Sequence, residues 1–221
     1  MMAGEKLPIA RIADTHYTRE VYEPSDDSFA IVDAVIADIS DIQALNPTLC
    51  LEVGSGSGYV TCSVATAMAA AGLRAEFITT DINPDACACT TTTMRAHAIT
   101  AFDTALADLA APLSRRLRGA VDLLLFNPPY VLTPSEEVGR PGMCAAWAGG
   151  FNGREVIDRF LPAVPHLLSP GGRCYMVTVA ENRPEELVGI AEAAGLDAEV
   201  ALVRSADEEK LHILRMVKRV A

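Results

Sequence analysis

Apolar residues gather into short continuous runs, with stretches of helical spacing between them. Leu123-Leu124-Leu125-Phe126 is the clearest run, four bulky residues without polar alternation, which predicts a strand buried on both faces of a sheet. Leu49 to Val53 and Phe77 to Asp81 read as strands as well, and Ala98 to Leu106 as a weaker one. Phe29, Val32, Ile36 and Ile39 recur at near-helical spacing, Val60 to Ala71 continues the pattern, and Asn83-Pro84 opens a helix through about His97. Gly153 to Leu168 is helical, with Pro162 and Pro165 predicting a kink or a short second piece. Gly171-Gly172 turns into a fifth strand, Arg173 to Ala180, followed by a helix from Pro184 to Ala194. Ala198 to Ser205 and Leu211 to Val217 close the chain as strands, and their short connection makes them antiparallel neighbours. Strands that alternate with helices predict an α/β fold around a doubly wound sheet.

The ends of these strands carry the candidate chemistry. In open α/β sheets ligands bind beyond the carboxyl ends of the strands. After the first strand comes Gly54-Ser55-Gly56-Ser57-Gly58, where glycines let backbone approach a ligand and turn tightly into a helix. Tyr59 stands where a dinucleotide fingerprint needs its third glycine, so a pyrophosphate cradle is disfavoured. With Glu52 on the strand, the loop fits a ligand that brings an amino group or hydroxyls. Asp81 ends the second strand, where an acid can accept both hydroxyls of a ribose. Asp108 could take a hydrogen bond from an exocyclic amine with Leu109 packed on a purine face, or be an ordinary loop aspartate. Pro24-Ser25-Asp26-Asp27 is helix-start chemistry in its own right.

Beyond the fourth strand stands Asn127-Pro128-Pro129-Tyr130. Asn127 and Pro128 each precede a proline and are pushed to extended backbone, and neither proline has an N–H to give a ladder. The result is a stiff shelf. It offers the carboxamide oxygen of Asn127 and the carbonyl of Pro128 as acceptors, with Tyr130 expected as a flat wall beside them. A planar NH2 group suits it, although such dipeptides also mark plain turns. Val131 to Asn152, rich in Gly and Pro and holding Trp147, reads as a lid or substrate groove, with Trp147 as a lining residue or a packing anchor.

Charge narrows the partners. With 18 basic and 29 acidic residues the chain carries a net charge of −11, which argues against a grip on nucleic-acid backbone. Arg115, Arg116 and Arg118 form the one local basic cluster. No run of 18 apolar residues or apolar leader is seen, so neither a membrane span nor a secretion signal is expected. Six scattered cysteines read as reduced thiols without metal spacing, and the expected location is the cytoplasm, with the nucleus as a second compartment. No composition shift marks a linker. One domain over residues 21–221 is expected, after a flexible N-terminal segment of 20 residues.

Together, the glycine loop, the acid after strand two and Asn127-Pro128-Pro129-Tyr130 after strand four resemble the class I S-adenosylmethionine-dependent methyltransferases. More narrowly, Val21-Tyr22-Glu23-Pro24, Glu52 to Gly58, Thr80 to Pro84, Asn127 to Tyr130, Ala146-Trp147-Ala148-Gly149-Gly150 and Asn152-Gly153-Arg154-Glu155 resemble the eukaryotic HemK-type release-factor glutamine methyltransferases. The resemblance implies a Rossmann-like doubly wound seven-stranded sheet with a closing antiparallel strand. It implies S-adenosylmethionine bordered by Ser28, Glu52, Gly54, Asp81, Asp108, Leu109 and Asn127, and an acceptor held by Asn127, Pro128 and Tyr130. It also implies a heterodimer with a small zinc-binding activator subunit that pairs with the edge of strand three, the zinc belonging to that partner. The acceptor is then a glutamine in a peptide chain release factor. An adenine amino group on DNA or RNA, a histone lysine, and a nucleoside-binding scaffold without turnover stay open as alternatives.

Overall fold

In a computed structural model, residues 6–140, 142–206 and 209–220 are described. Seven strands form one sheet in the order β3-β2-β1-β4-β5-β7-β6. These are β1 (Leu49–Val53), β2 (Glu76–Asp81), β3 (Phe102–Leu106), β4 (Val121–Phe126), β5 (Leu168–Val179), β6 (Leu196–Ala206) and β7 (Glu209–Lys218). Five strands run parallel from β3 to β5, and β7 runs antiparallel between β5 and β6. This is the expected doubly wound sheet with its closing antiparallel strand. Leu51, Leu123, Leu124, Leu125 and Phe126 are at most 1% exposed, as unbroken apolar runs require of strands covered on both faces.

The helices are α1 (Asp26–Ala37), α2 (Ile39–Leu45), α3 (Tyr59–Ala70), α4 (Pro84–Ala96), α5 (Cys144–Trp147), α6 (Glu155–Phe160), α7 (Val164–Leu167) and α8 (Pro184–Ala193). Ile39 falls outside the first helix because the chain bends at Asp38, and a 3-10 turn at Leu161–Ala163 forms the kink expected beside Pro162 and Pro165. The third strand is shorter than expected. Ala98 takes a positive φ of 57°, which ends the α4 region in a turn before extended backbone begins at Phe102. The fifth strand is longer, since Leu168 already pairs with Val121 across an irregular register.

Register sets the position of the site. Val53 lies opposite Thr80 on one side and Phe126 on the other, and Asp81 lies opposite Leu106. Gly54, Asp81, Ala107-Asp108 and Asn127 therefore emerge together at one edge of the sheet. The strand order reverses between β1 and β4, which opens a crevice there.

Residues 6–20, expected as a flexible lead-in, lie against α3 and α4. The backbone N–H of Ala10 donates to Ser63 Oγ (3.3 Å), that of Arg11 to His97 Nε2 (2.9 Å) and that of His16 to Thr93 Oγ1 (2.8 Å). Asn83 Nδ2 donates to the carbonyl of Glu20 (2.8 Å), which carries the chain over the end of β2.

Candidate active site

A cavity opens at the crevice between β1 and β4, and its wall includes all seven residues expected to border a nucleoside ligand: Ser28, Glu52, Gly54, Asp81, Asp108, Leu109 and Asn127. Gly58 takes φ +78°, and a Cβ there would lie 2.8 Å from the Thr90 Cα, so only glycine lets the start of α3 rest on α4. A Cβ at Gly56 would meet nothing within 4 Å. This face of the loop is open to a ligand.

Three of the five carboxylates on the wall differ in their ties. Asp81 Oδ2 accepts the Gly56 N–H (2.8 Å) and Oδ1 that of Asn83 (2.9 Å), which braces the glycine loop against β2. Each oxygen keeps a further lone pair for a ligand hydroxyl. Burial nevertheless raises the Asp81 carboxyl above its ordinary value. Glu52 is 3% exposed and accepts both the N–H (3.1 Å) and the hydroxyl of Thr61. Its burial outweighs these bonds and pushes the carboxyl up to about 8. Asp108 is half-exposed and ion-paired to Arg159 of α6, an arrangement its own sequence neighbourhood did not signal. Leu109 beside it holds φ +53°, an uncommon state for a branched residue, here at a cavity wall.

Asn127 lines the same cavity, and its Oδ1 is buried without a hydrogen-bond partner among the described residues. A buried acceptor left unpaired costs about 1–3 kcal/mol, which marks it as waiting for a donor. The rest of the shelf alternates. Pro129 lines the cavity with Asn127, while Pro128 is buried and absent from the wall. Tyr130, expected as a wall beside Asn127, faces a second cavity instead. Proline-held extended backbone sends successive side chains to opposite sides, so Asn127 and Pro129 share one side.

That second cavity adjoins the first, the two sharing Tyr22, Asp27 and Ala146. The Tyr130 hydroxyl lies 3.4 Å from Asp27 Oδ2 and 3.3 Å from Glu209 Oε2, and burial with these two acids raises it far above the usual phenol range. Trp147, 37% exposed, lines this cavity, and its carbonyl accepts the Val131 N–H (3.0 Å). Of the segment expected as a lid or substrate groove, Val138, Gly139, Gly142, Ala145 and Ala146 line the first cavity and Val131, Ala146 and Trp147 the second. Among the described residues no group of three or more His, Cys, Asp or Glu is placed to share a metal ion, and no helix is long and apolar enough to cross a membrane.

Comparison with known proteins identifies this arrangement. Mouse methyltransferase HEMK2 is 49% identical over 200 residues, which cover 90% of this chain and 91% of the mouse protein. The chain belongs to the HEMK2 methyltransferase family. A further HEMK2-related protein, the eRF1 methyltransferase catalytic subunit mtq2 of Schizosaccharomyces pombe, is 32% identical over 218 residues, 90% of each chain. Among solved structures, the E. cuniculi Mtq2–Trm112 complex, described as methylating the translation termination factor eRF1, matches with a TM-score of 0.61 and 26% identity over 90% of this chain and 99% of that one. No family model matches the chain. HEMK2 membership makes this chain a methyltransferase, and its sheet and structural neighbours give it the class I fold. The nucleoside-binding scaffold without turnover is thereby set aside.

Proposed function

We propose that the chain binds S-adenosylmethionine in the first cavity and methylates the side-chain amide nitrogen of a glutamine in a peptide chain release factor, as catalytic subunit of a heterodimer with a small zinc-binding activator. The single observation that carries the reading is the unpaired, buried Oδ1 of Asn127 at the end of β4. The residues fit the cofactor: an open glycine loop, Asp81 with acceptor capacity for ribose hydroxyls, and Asp108 with Leu109 for the purine. When bound, the cofactor supplies an electrophilic sulfonium methyl group.

An amide nitrogen is a weak nucleophile because its lone pair is delocalised into the carbonyl. Asn127 Oδ1 and the carbonyl of Pro128 would each accept one hydrogen of the acceptor NH2, fix its plane and raise electron density on nitrogen. The Pro128 carbonyl accepts no hydrogen bond from any described residue. Orientation of this kind contributes roughly 7–11 kcal/mol to a bimolecular step. The acceptor chain reaches the shelf through the second cavity, between Tyr130 and Trp147. For the partner, β3 is an edge strand that pairs with β2 alone among the described strands and ends at Leu106, 62% exposed. Such an edge accepts an added strand.

An exocyclic adenine amine presents the shelf with the same two hydrogens, but a net charge of −11 disfavours a phosphate chain. The test offers the assembled heterodimer a release factor and adenine-containing oligonucleotides at matched concentration and low salt. Mass spectrometry should place one methyl on a glutamine. Transfer to the oligonucleotides with none to protein, or to a lysine alone, would overturn the assignment.

A further inference from the structure

Asn127 makes no side-chain hydrogen bond through its Oδ1, so its position comes from the backbone of the shelf. That backbone is anchored at its far end by Asn182, in the 3-10 turn Ala180–Asn182 that follows β5. Asn182 is fully buried. Its Oδ1 accepts the Val179 N–H (2.8 Å), and its Nδ2 donates to the carbonyls of Tyr130 (2.9 Å), Asn152 (3.0 Å) and Gly153 (3.3 Å). Two amide hydrogens serve three carbonyls, so one of them is shared.

The contact surface leaves no slack. A Cβ on Gly153 would lie 1.9 Å from the Tyr130 carbonyl oxygen and 2.5 Å from Asn182 Nδ2, and a Cβ on Gly149 would lie 2.7 Å from the Pro129 carbonyl oxygen. A second tie joins the Asn152-Gly153 turn to the helix that follows Asn182. Arg154, 8% exposed, bonds Glu186 of α8 (2.8 Å) and Asp158 of α6 (2.7 Å).

From this geometry we propose that Asn182 is a positioning residue for methyl transfer, holding the carbonyl end of the shelf against the Asn152-Gly153 turn so that Asn127 meets the acceptor in register. The proposal rests on the reading of Asn127 as the acceptor shelf. Two successive prolines make the link from Tyr130 back to Asn127 stiff, so a displacement of the Tyr130 carbonyl is carried to the reacting end. A misplacement of about 1 Å can cost on the order of a hundredfold in rate. Asn182 is absent from the walls of both cavities, so it acts without touching either ligand.

The test uses the assembled heterodimer with a release factor as acceptor and compares Asn182→Asp, Asn182→Ala, Glu186→Ala and Asn127→Ala. Asn182→Asp keeps the acceptor for Val179 and removes the donors. Both Asn182 variants should lower kcat about 10- to 100-fold, with cofactor Kd and acceptor KM within about threefold of the native values. Glu186→Ala, which removes the half-exposed partner of Arg154 and with it a longer pair to Arg183 (3.5 Å), should lower kcat several-fold in the same pattern. The double variant Asn127→Ala with Asn182→Asp should turn over no more slowly than Asn127→Ala, because both act through one shelf. If the Asn182 variants fail to fold, an unchanged kcat for Glu186→Ala overturns the proposal. So do unchanged kcat in the Asn182 variants, or cofactor affinity and kcat falling together. Near-native turnover by Asn127→Ala would instead remove the shelf reading on which the proposal stands.

Discussion

Replacing Glu52 with Gln tests the electrostatics of the cofactor cavity while keeping its shape. The carboxyl is raised from 4.5 to about 8, burial being the largest cause and Asp81 adding to it against the two bonds from Thr61. The unfolded chain ionises this group above pH 4.5, whereas the folded protein keeps the proton until about pH 8. Between those values the unfolded state binds fewer protons, so stability falls as pH rises. Below the interval both states are protonated and above it both are ionised, and the contribution is flat. At about 1.4 kcal/mol per pH unit the interval corresponds to on the order of 5 kcal/mol. A glutamine side chain carries no charge at any pH in this range, so Glu52→Gln should flatten the slope and raise stability at pH 8 by a few kcal/mol. Denaturant unfolding of both proteins from pH 5 to 9 measures it. Parallel stability curves would refute the reasoning.

The same group links to ligand binding. A cation placed near Glu52 favours its ionised form, so S-adenosylmethionine binding at pH 6.5 should release a proton. Calorimetry in buffers of different ionisation enthalpy counts it. Asp81 is raised by burial as well, and subtracting the Glu52→Gln count isolates the share of Glu52. A difference close to one proton is expected, and equal counts would separate Glu52 from the cofactor.

Asp81→Ala removes the bonds to Gly56 and Asn83 and should weaken cofactor binding by about 10- to 100-fold, on roughly 1.5–3 kcal/mol for a charge-assisted bond, with unchanged calorimetric affinity as the refuting result. Asn127→Ala should lower the methyl-transfer rate by about a hundredfold or more while cofactor affinity stays within a few-fold, as read by single-turnover kinetics. Leu106→Glu at the exposed end of β3 should abolish co-purification with the small partner subunit, and a complex that survives would move the interface elsewhere. Gly58→Ala should lower the unfolding midpoint, since it meets the Thr90 backbone at 2.8 Å in left-handed backbone.

Much of this site was legible because its parts are local. A strand, the glycines after it and the acid at the end of the next strand each occupy a few consecutive residues, and parallel register brings such ends together without further information. What stayed hidden depends on residues far apart in the chain. The Asp108–Arg159 pair spans 51 positions and the Asn182–Tyr130 bond 52, and nothing in either neighbourhood announces its partner. The tie of residues 6–20 to α3 and α4 is of the same kind, made by backbone N–H groups that any sequence would carry.

Tyr130 belongs to neither class. It stands apart from Asn127 because the prolines that make the shelf stiff also make it extended, and extended backbone alternates with a period of two. Applied along Asn127-Pro128-Pro129-Tyr130, that period sends Asn127 and Pro129 to one side, where both line the first cavity, and Tyr130 to the other, where it lines the second, while Pro128 is buried and lines neither. The alternation has a functional consequence. Tyr130 is turned away from the first cavity, and its phenol, lodged between Asp27 and Glu209, walls the neighbouring one. In the proposed reaction the stacking surface and the amide acceptors would then serve different parts of an acceptor chain, the acceptors holding the reacting NH2 and the ring meeting the chain on its way in.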